Sequence, residues 1–322
     1  MDSAKQRCYV AFDVSKATLM VAAPKGMPQG SLDNTQGAVD KQLQALIEHA
    51  NRVNETLWLV CEATGGYQRT LEACAAKAGV PISVVPPAWI FHAKRSWGKL
   101  AKTDPLDAAC ILRYAQQENP DATPYDPGRY DFQELVSSRV LLVRERAKLQ
   151  RRGQTLTIAA AKQALACAEA ALEEQIAALD AEIASGLKER AKADVRLDAI
   201  RPLEGVGPGL LAVLHAYLPE LGKVGRKQIA SLAGVAPQAR DSGKLQGRRY
   251  VYGGKRVVRT ALYAACICFL RKSSPHRARY DELRARNKSH RTAIIAMAHA
   301  LIIRINAVAR QALEETKGIA TA

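Results

Sequence analysis

The stretch RCYVAFDVSK, Arg7 to Lys16, is a short apolar run that closes on an aspartate and a polar turn. It reads as a strand, and ATLMVAAP (Ala17 to Pro24) follows closely enough to pair with it as a hairpin. Downstream, TQGAVDKQLQALIEHAN (Thr35 to Asn51) has helical periodicity, and TLWLVCEATGGY (Thr56 to Tyr67) is a strand ending in a glycine-bearing turn. QRTLEACAAKAG is a helix closed by Gly79, and PISVVPP (Pro81 to Pro87) is a further short strand. KTDPLDAACIL (Lys102 to Leu112) opens a helix running to about Gln117, with Asp104 as N-cap, Pro105 at the first helical position and Asp107 at the third, unless Thr103 takes the cap and frees Asp104. Strand, hairpin, helix, strand, helix, strand, helix makes an α/β domain with a mixed sheet.

The remainder is helical. NPDATPYDPG (Asn119 to Gly128), with three prolines, is a linker. Beyond it Leu135, Leu142, Leu149 and Leu156 recur every seven residues, and Leu165, Leu172 and Leu179 interleave with Ile176 and Ile183. These alanine-rich heptads read as a long helical hairpin or coiled coil broken near Gly153 or Thr157, or as helices that only cover a globular core. IRPLEGVGPGLLAVLHAYLPE (Ile200 to Glu220) sets Gly205, Gly207 and Gly209 between apolar helical segments. That is the style of a helix-hairpin-helix element, which offers backbone N–H groups to a phosphate; a plain turn between core helices is the alternative. A helix over GRKQIASLAGVAP leads into the loop QARDSGKLQGRRYVYGGKR (Gln238 to Arg256), and helices follow from about Val257 to Leu270 and Thr292 to Leu313. The expected domains are 1–127, 128–198 and 199–322.

Charge narrows the function. The net charge is +16, and the 65 residues from Arg240 to Arg304 hold sixteen Lys/Arg against three acids, Asp241, Asp281 and Glu282. An excess concentrated in this way favours a polyanion bound through its phosphates over a solvated basic face. A membrane surface fits less well, because no amphipathic stripe rimmed by Trp or Phe is present. The chain has no early apolar leader segment and no run of eighteen apolar residues, so it reads as soluble and cytoplasmic. Its seven scattered cysteines, without a CxxC pair, read as the buried or free thiols of a reducing compartment.

Four acids stand out by position. Asp13 and Glu62 each close an apolar strand, and in open α/β sheets ligands bind outside the carboxyl ends of strands. Asp104 and Asp107, three apart at a helix start, share one face. Singly, each is equally a turn residue or a cap. Together, four such carboxylates repel one another unless cations intervene, and Mg²⁺ or Mn²⁺ are the natural occupants because hard cations take oxygen ligands. Two such ions about 3.5–4 Å apart activate a nucleophile and stabilise the leaving oxygen in phosphoryl transfer. The order strand Asp, strand Glu, helical Asp-x-x-Asp in a strongly basic protein therefore points to metal-dependent phosphodiester chemistry. The small neighbours Ser15, Thr64, Gly65 and Gly66 leave room for a backbone to approach.

FDVSK, CEATGGY and KTDPLDA, followed by the heptad segment, LEGVGPGLLAVL and AGVAPQARDSG, resemble the DEDD-type transposases of the insertion sequence 110 family, closest to its glycine-rich variants in a related subgroup. The resemblance runs from about Cys8 to about Arg304 in the family's order. It implies a ribonuclease-H-like (RuvC-like) mixed-sheet domain whose four acids are Asp13, Glu62, Asp104 and Asp107. A long coiled-coil segment and a helical C-terminal domain with a helix-hairpin-helix-like element follow. It also implies a serine nucleophile in a short SG motif, which RDSG places on Ser242, with Arg240, Lys244, Arg248 and Arg249 beside it to hold a phosphate. Lys255, Arg256, Gly205 and Gly207 complete the expected nucleic-acid contacts. The implied partners are donor and target DNA and a structured guide RNA encoded by the element. The implied assembly is a homo-oligomer, dimer or tetramer, with composite active sites, in the cytoplasm at the nucleoid and away from membranes. The rival reading is a metal-dependent nuclease of the Holliday-junction-resolvase type, cutting by water attack; a further one is a non-catalytic nucleic-acid-binding protein.

Overall fold

The computed structural model describes residues 6–98, 103–238, 249–271 and 273–320 of the 322-residue chain. They form two compact units, Met1–Pro127 and Gly128–Ala322. The first contains β1 (Arg7–Val14), β2 (Thr18–Ala22), β3 (Gly30–Asp33), α1 (Gln36–Arg52), β4 (Thr56–Glu62), α2 (Arg69–Lys77), β5 (Ile82–Val85), α3 (Pro87–Ser96) and α4 (Asp104–Glu118).

The strands make one sheet in the order β3-β2-β1-β4-β5. β1, β2 and β3 pair antiparallel, because the chain reverses tightly at Ser15, whose N–H donates to the Thr18 carbonyl at 2.9 Å. β1, β4 and β5 pair parallel, because α1 and α2 carry the chain back before each new strand begins. A mixed five-stranded sheet with helices on both faces is compatible with the ribonuclease-H-like fold expected from the sequence.

β1 is apolar on both sides because its side chains alternate between two cores. Cys8, Val10 and Phe12 join Val39, Leu43 and Leu46 of α1 and Leu71 and Cys74 of α2. Tyr9 and Ala11 face the other way, toward Val60, Val85, Ile90 of α3, and Ile111 and Ala115 of α4. Two elements of this unit escaped the sequence reading. β3 is four residues of mostly exposed edge strand, and α3 takes its cap and first residue from Pro86 and Pro87, which read as the end of a strand.

Among its described residues the second unit is built from helices: α5 (Pro127–Gly153), α6 (Ala159–Ala191), α7 (Val195–Ile200), α8 (Pro208–Tyr217), α9 (Arg226–Leu232), α10 (Arg256–Cys268), α11 (Arg277–Ala285) and α12 (His290–Ala320). α5 and α6 are antiparallel. Arg139 pairs with Asp180, Arg146 with Glu173 at 3.2 Å, and Gln150 with Glu169, so the partners descend one helix as they climb the other. The heptad leucines between these helices are half-buried. At the base of the hairpin Phe132, Val136, Ile183 and Leu187 enter the same core as Leu210, Leu214, Ile229, Leu262, Ile302 and Ile305.

α12 alone among the described helices is long and apolar enough to cross a membrane. About half of its apolar stretch is buried, and it packs against α7, α9, α10 and α11, as a core helix does. The seven cysteines are free, and burial pushes the Cys8 thiol up to about 12 and the Cys74 thiol up to about 11.

Candidate active site

Strand parity decides where the strand-end acids point. Tyr9 and Ala11 of β1 face α4, so Asp13, two residues on, shares that face; Val60 of β4 faces α4, and Glu62 follows by the same step. Ala11 pairs with Val60 and Phe12 with Cys61, and the next step of this register sets Asp13 beside Glu62 on adjacent parallel strands. Both side chains are half-buried.

α4 brings the other two acids to this edge. Ile111 and Ala115 pack in the cluster against the sheet, Ala108 is buried one turn earlier, and Asp104 and Asp107 precede it on the same helix face. The cap falls on Thr103, one residue ahead of Asp104 and the second of the two positions open in the sequence. Thr103 is extended, with φ −147 and ψ 146, and its carbonyl accepts from the Asp107 N–H at 2.9 Å. Asp104 is therefore the first helical residue, exposed and released from capping, and Asp107 is half-buried. Lys102, which opens the quoted motif, lies outside the described residues.

The loops behind the strand-end acids are fixed by two amides. Gln68, buried at the foot of α2, accepts through Oε1 from Thr64 N at 3.2 Å, Thr64 Oγ1 at 3.0 Å and Gly66 N at 3.1 Å. The turn it gathers needs φ values of +70 at Gly65 and +125 at Gly66, which glycine adopts without strain. Asn34 Nδ2 donates to the Ser15 carbonyl at 2.9 Å and to the Tyr67 carbonyl at 3.0 Å. One side chain thus ties the loop after Asp13 to the loop after Glu62.

The site also holds a cation. Lys94 of α3 donates to Asp107 Oδ1, and both side chains are largely withdrawn from water. That hydrogen bond is the main cause holding the Lys94 ammonium above its usual pKa, with the fields of Asp107, Cys110 and Asp13 adding to it. The sequence reading missed Lys94 because it missed α3; the usable signal was proline at a first helical position followed by Ile90 and Lys94 four apart. Among the described residues no three acidic, histidine or cysteine side chains stand as a ready metal-binding group. Carboxylate oxygens are the donor type that hard divalent ions prefer, and one of the four acids, Asp107, already meets an ammonium.

In the second unit, Gly205 has φ +86, and a Cβ there would run into the Phe269 ring, so this glycine has a packing duty in any case. Gly207 is the extended residue ahead of α8, with open space around it. Lys255 is engaged by Glu220 at 3.0 Å, whereas Arg249 and Arg256 are exposed with no ion-pair partner among the described residues. Ser242, Arg240, Lys244 and Arg248 lie outside the described residues. Their flanks are held: Gln238 and Tyr250 exchange backbone hydrogen bonds at 2.8 and 3.2 Å, and the Arg259 guanidinium donates to the carbonyls of Gly234 and Gly253.

Two family models match this chain. One, described as a transposase of the DEDD insertion sequence 110 type, covers residues 10–157 and with them Asp13, Glu62, Asp104 and Asp107. The other, described as the transposase IS116/IS110/IS902 family, covers residues 197–281, which include Ser242. Among known proteins, the pilin gene-inverting proteins of Moraxella lacunata and Moraxella bovis are each 25 % identical over 313 residues, spanning 95 % of this chain and 96 % of the relative.

Proposed function

Because the chain belongs to the insertion sequence 110 family of transposases, enzymes that cut and rejoin DNA, we propose that it carries out phosphodiester transfer with two groups of residues, a carboxylate edge and a serine. The first group is the carboxylate edge. Asp13, Glu62, Asp104 and Asp107 hold divalent ions, Mg²⁺ or Mn²⁺, which when bound would polarise the scissile phosphate and stabilise the leaving oxygen. The single observation that carries this reading is parity: it turns two strand-end acids toward the one helix whose first turn bears two more.

The second group centres on Ser242. Its hydroxyl attacks the phosphorus, loses its proton, and displaces a DNA hydroxyl to leave a phosphoserine link; a second DNA hydroxyl reverses the step on a new strand. Arg240, Lys244, Arg248 and Arg249 steady the phosphate, and Lys255, Arg256 and the N–H groups at Gly205 and Gly207 hold DNA or RNA backbone nearby. Serine and acids from different subunits meet in composite sites of a dimer or tetramer, with the α5–α6 hairpin as a coiled coil and α7–α8 as a helix-hairpin-helix-like element. A structured guide RNA delegates sequence choice to base pairing, in keeping with a basic unit and only 5 % aromatic residues. The enzyme works in the cytoplasm, at the nucleoid.

The test is a denaturing gel of end-labelled DNA incubated with protein, its RNA and Mg²⁺. A covalent protein–DNA band is expected from the wild type, absent from Ser242→Ala and reduced at least about 100-fold in Asp13→Asn. Undiminished cutting by Ser242→Ala, without a covalent band, would instead mark a water-using nuclease of the resolvase type.

A further inference from the structure

α3 places Ile90 and Lys94 on one side of the helix, four residues apart. Ile90 is 3 % exposed in the apolar cluster it shares with α4, and this anchors the turn that presents Lys94. The lysine side chain is 17 % exposed and its partner Asp107 16 % exposed, so the pair is far less screened than a surface ion pair. From the same position the ammonium acts electrostatically on Asp13, the strand-end acid across the edge. The remaining side chains of α3 have no comparable anionic neighbour among the described residues: Trp89, Phe91, His92 and Arg95 are exposed.

We propose that Lys94 is a resident counter-ion of Asp107, competing with a divalent ion for that carboxylate and so coupling metal loading to the arrival of a DNA phosphate. This rests on the reading of the four acids as a metal site. A divalent ion bound to Asp107 lies within a few ångströms of any ammonium on the same carboxylate, and like charges at that distance repel strongly where water is scarce. Metal loading therefore requires Lys94 to swing off. A phosphate entering the site gives the released ammonium a new anion to meet. Because binding couplings are reciprocal, DNA then tightens metal binding and metal tightens DNA binding. Before DNA arrives Lys94 offsets the charge of Asp107 and disfavours a metal ion on that carboxylate.

The experiment is Mn²⁺ titration of the full chain, followed by electron paramagnetic resonance, with and without duplex DNA, for the wild type, Lys94→Met and Lys94→Arg. Thermal unfolding checks that each variant is folded. Lys94→Met is expected to bind Mn²⁺ at least about tenfold more tightly than the wild type in the absence of DNA, with Lys94→Arg close to the wild type. DNA is expected to tighten Mn²⁺ binding to the wild type and to leave Lys94→Met nearly unchanged. A lysine that only docks α3 would give equal or weaker Mn²⁺ binding in a folded Lys94→Met protein, and that result overturns the proposal. Equal tightening by DNA in both proteins overturns the coupling. Should Lys94→Met fail to fold, Lys94→Gln carries the same comparison. Absence of Mn²⁺ binding in every protein, with and without DNA, overturns the metal reading of the four acids itself, a failure distinct from that of Lys94.

Discussion

Asn34 is a small residue with a large lever. Its amide nitrogen holds the Ser15 and Tyr67 carbonyls, and these belong to the two loops that leave the strand ends at Asp13 and Glu62. Asn34→Ala removes both hydrogen bonds. The expected cost is about 1–3 kcal/mol of unfolding stability, since two carbonyls lose a shared donor. DNA cleavage should fall well beyond what the lost stability explains, about tenfold or more at a temperature where the variant is fully folded; unfolding curves and single-turnover cleavage read the two effects separately. At Gly254 the constraint is steric. Its φ is +64, and a Cβ would collide with the backbone of Gly234 and the Ser231 carbonyl. Gly254→Ala should therefore destabilise the second unit by about 2 kcal/mol or more and abolish the covalent DNA product, because this contact secures one flank of residues 239–248. The positions of Asp13 and Glu62 at or next to the ends of β1 and β4 were legible in the sequence, since each acid follows an apolar run. Asn34, Gln68 and Lys94 were not, because a hydrogen bond across 33 residues of sequence or an ion pair between neighbouring helices leaves no local pattern.

At the scale of elements, the helix start at Asp104 changed most between sequence and structure. Asp-Pro read as cap and first helical residue unless Thr103 took the cap; the structure gives the cap to Thr103 and leaves both aspartates inside the first turn, where the positive end of the helix dipole favours them. α3 and β3 went unread for opposite reasons. The Pro86-Pro87 step reads as a strand's end but is the cap and first residue of α3, and β3 is short and exposed on three of its four residues, so it shows no apolar alternation. α7 is also too short for periodicity to reveal. What fixes it is Asp194, which accepts from the Arg196 backbone N–H at 3.2 Å and from its guanidinium at 2.7 Å, with the His215 ring 3.6 Å away. Arg196 continues to the carbonyls of Pro219 and Leu221, binding α7 to the end of α8. Burial by itself would raise the Asp194 pKa, but His215 and Arg196 outweigh it and hold the carboxyl well below the usual carboxylate range. A folded-state pKa below the unfolded one contributes stability above pH ~4, and that contribution is lost as the pH falls further. Asp194→Asn should lose on the order of 3 kcal/mol at neutral pH, and its stability curve should approach that of the wild type as the solution is acidified. Chemical denaturation at a series of pH values from neutral to strongly acidic measures this.

For the whole molecule, the sequence conveyed composition and periodicity better than contact. The heptads announced the α5–α6 hairpin, and its antiparallel pairs follow from a short connection at 154–158. The concentration of basic residues between Arg240 and Arg304 points to a polyanion partner, in keeping with the DNA substrates of a transposase. The proposed acidic edge shows only when its parts are set side by side, because its residues lie on β1, β4 and α4, elements separated by up to about ninety residues. The account stands or falls on that edge being a metal centre. Anomalous diffraction at the manganese edge, from crystals of the full chain soaked in Mn²⁺ with duplex DNA, tests it most directly. The expected map has its strongest peak at the sheet edge, in contact with Asp13 and with Asp104 or Asp107. A map with no peak there, at Mn²⁺ concentrations that support cleavage, would contradict it.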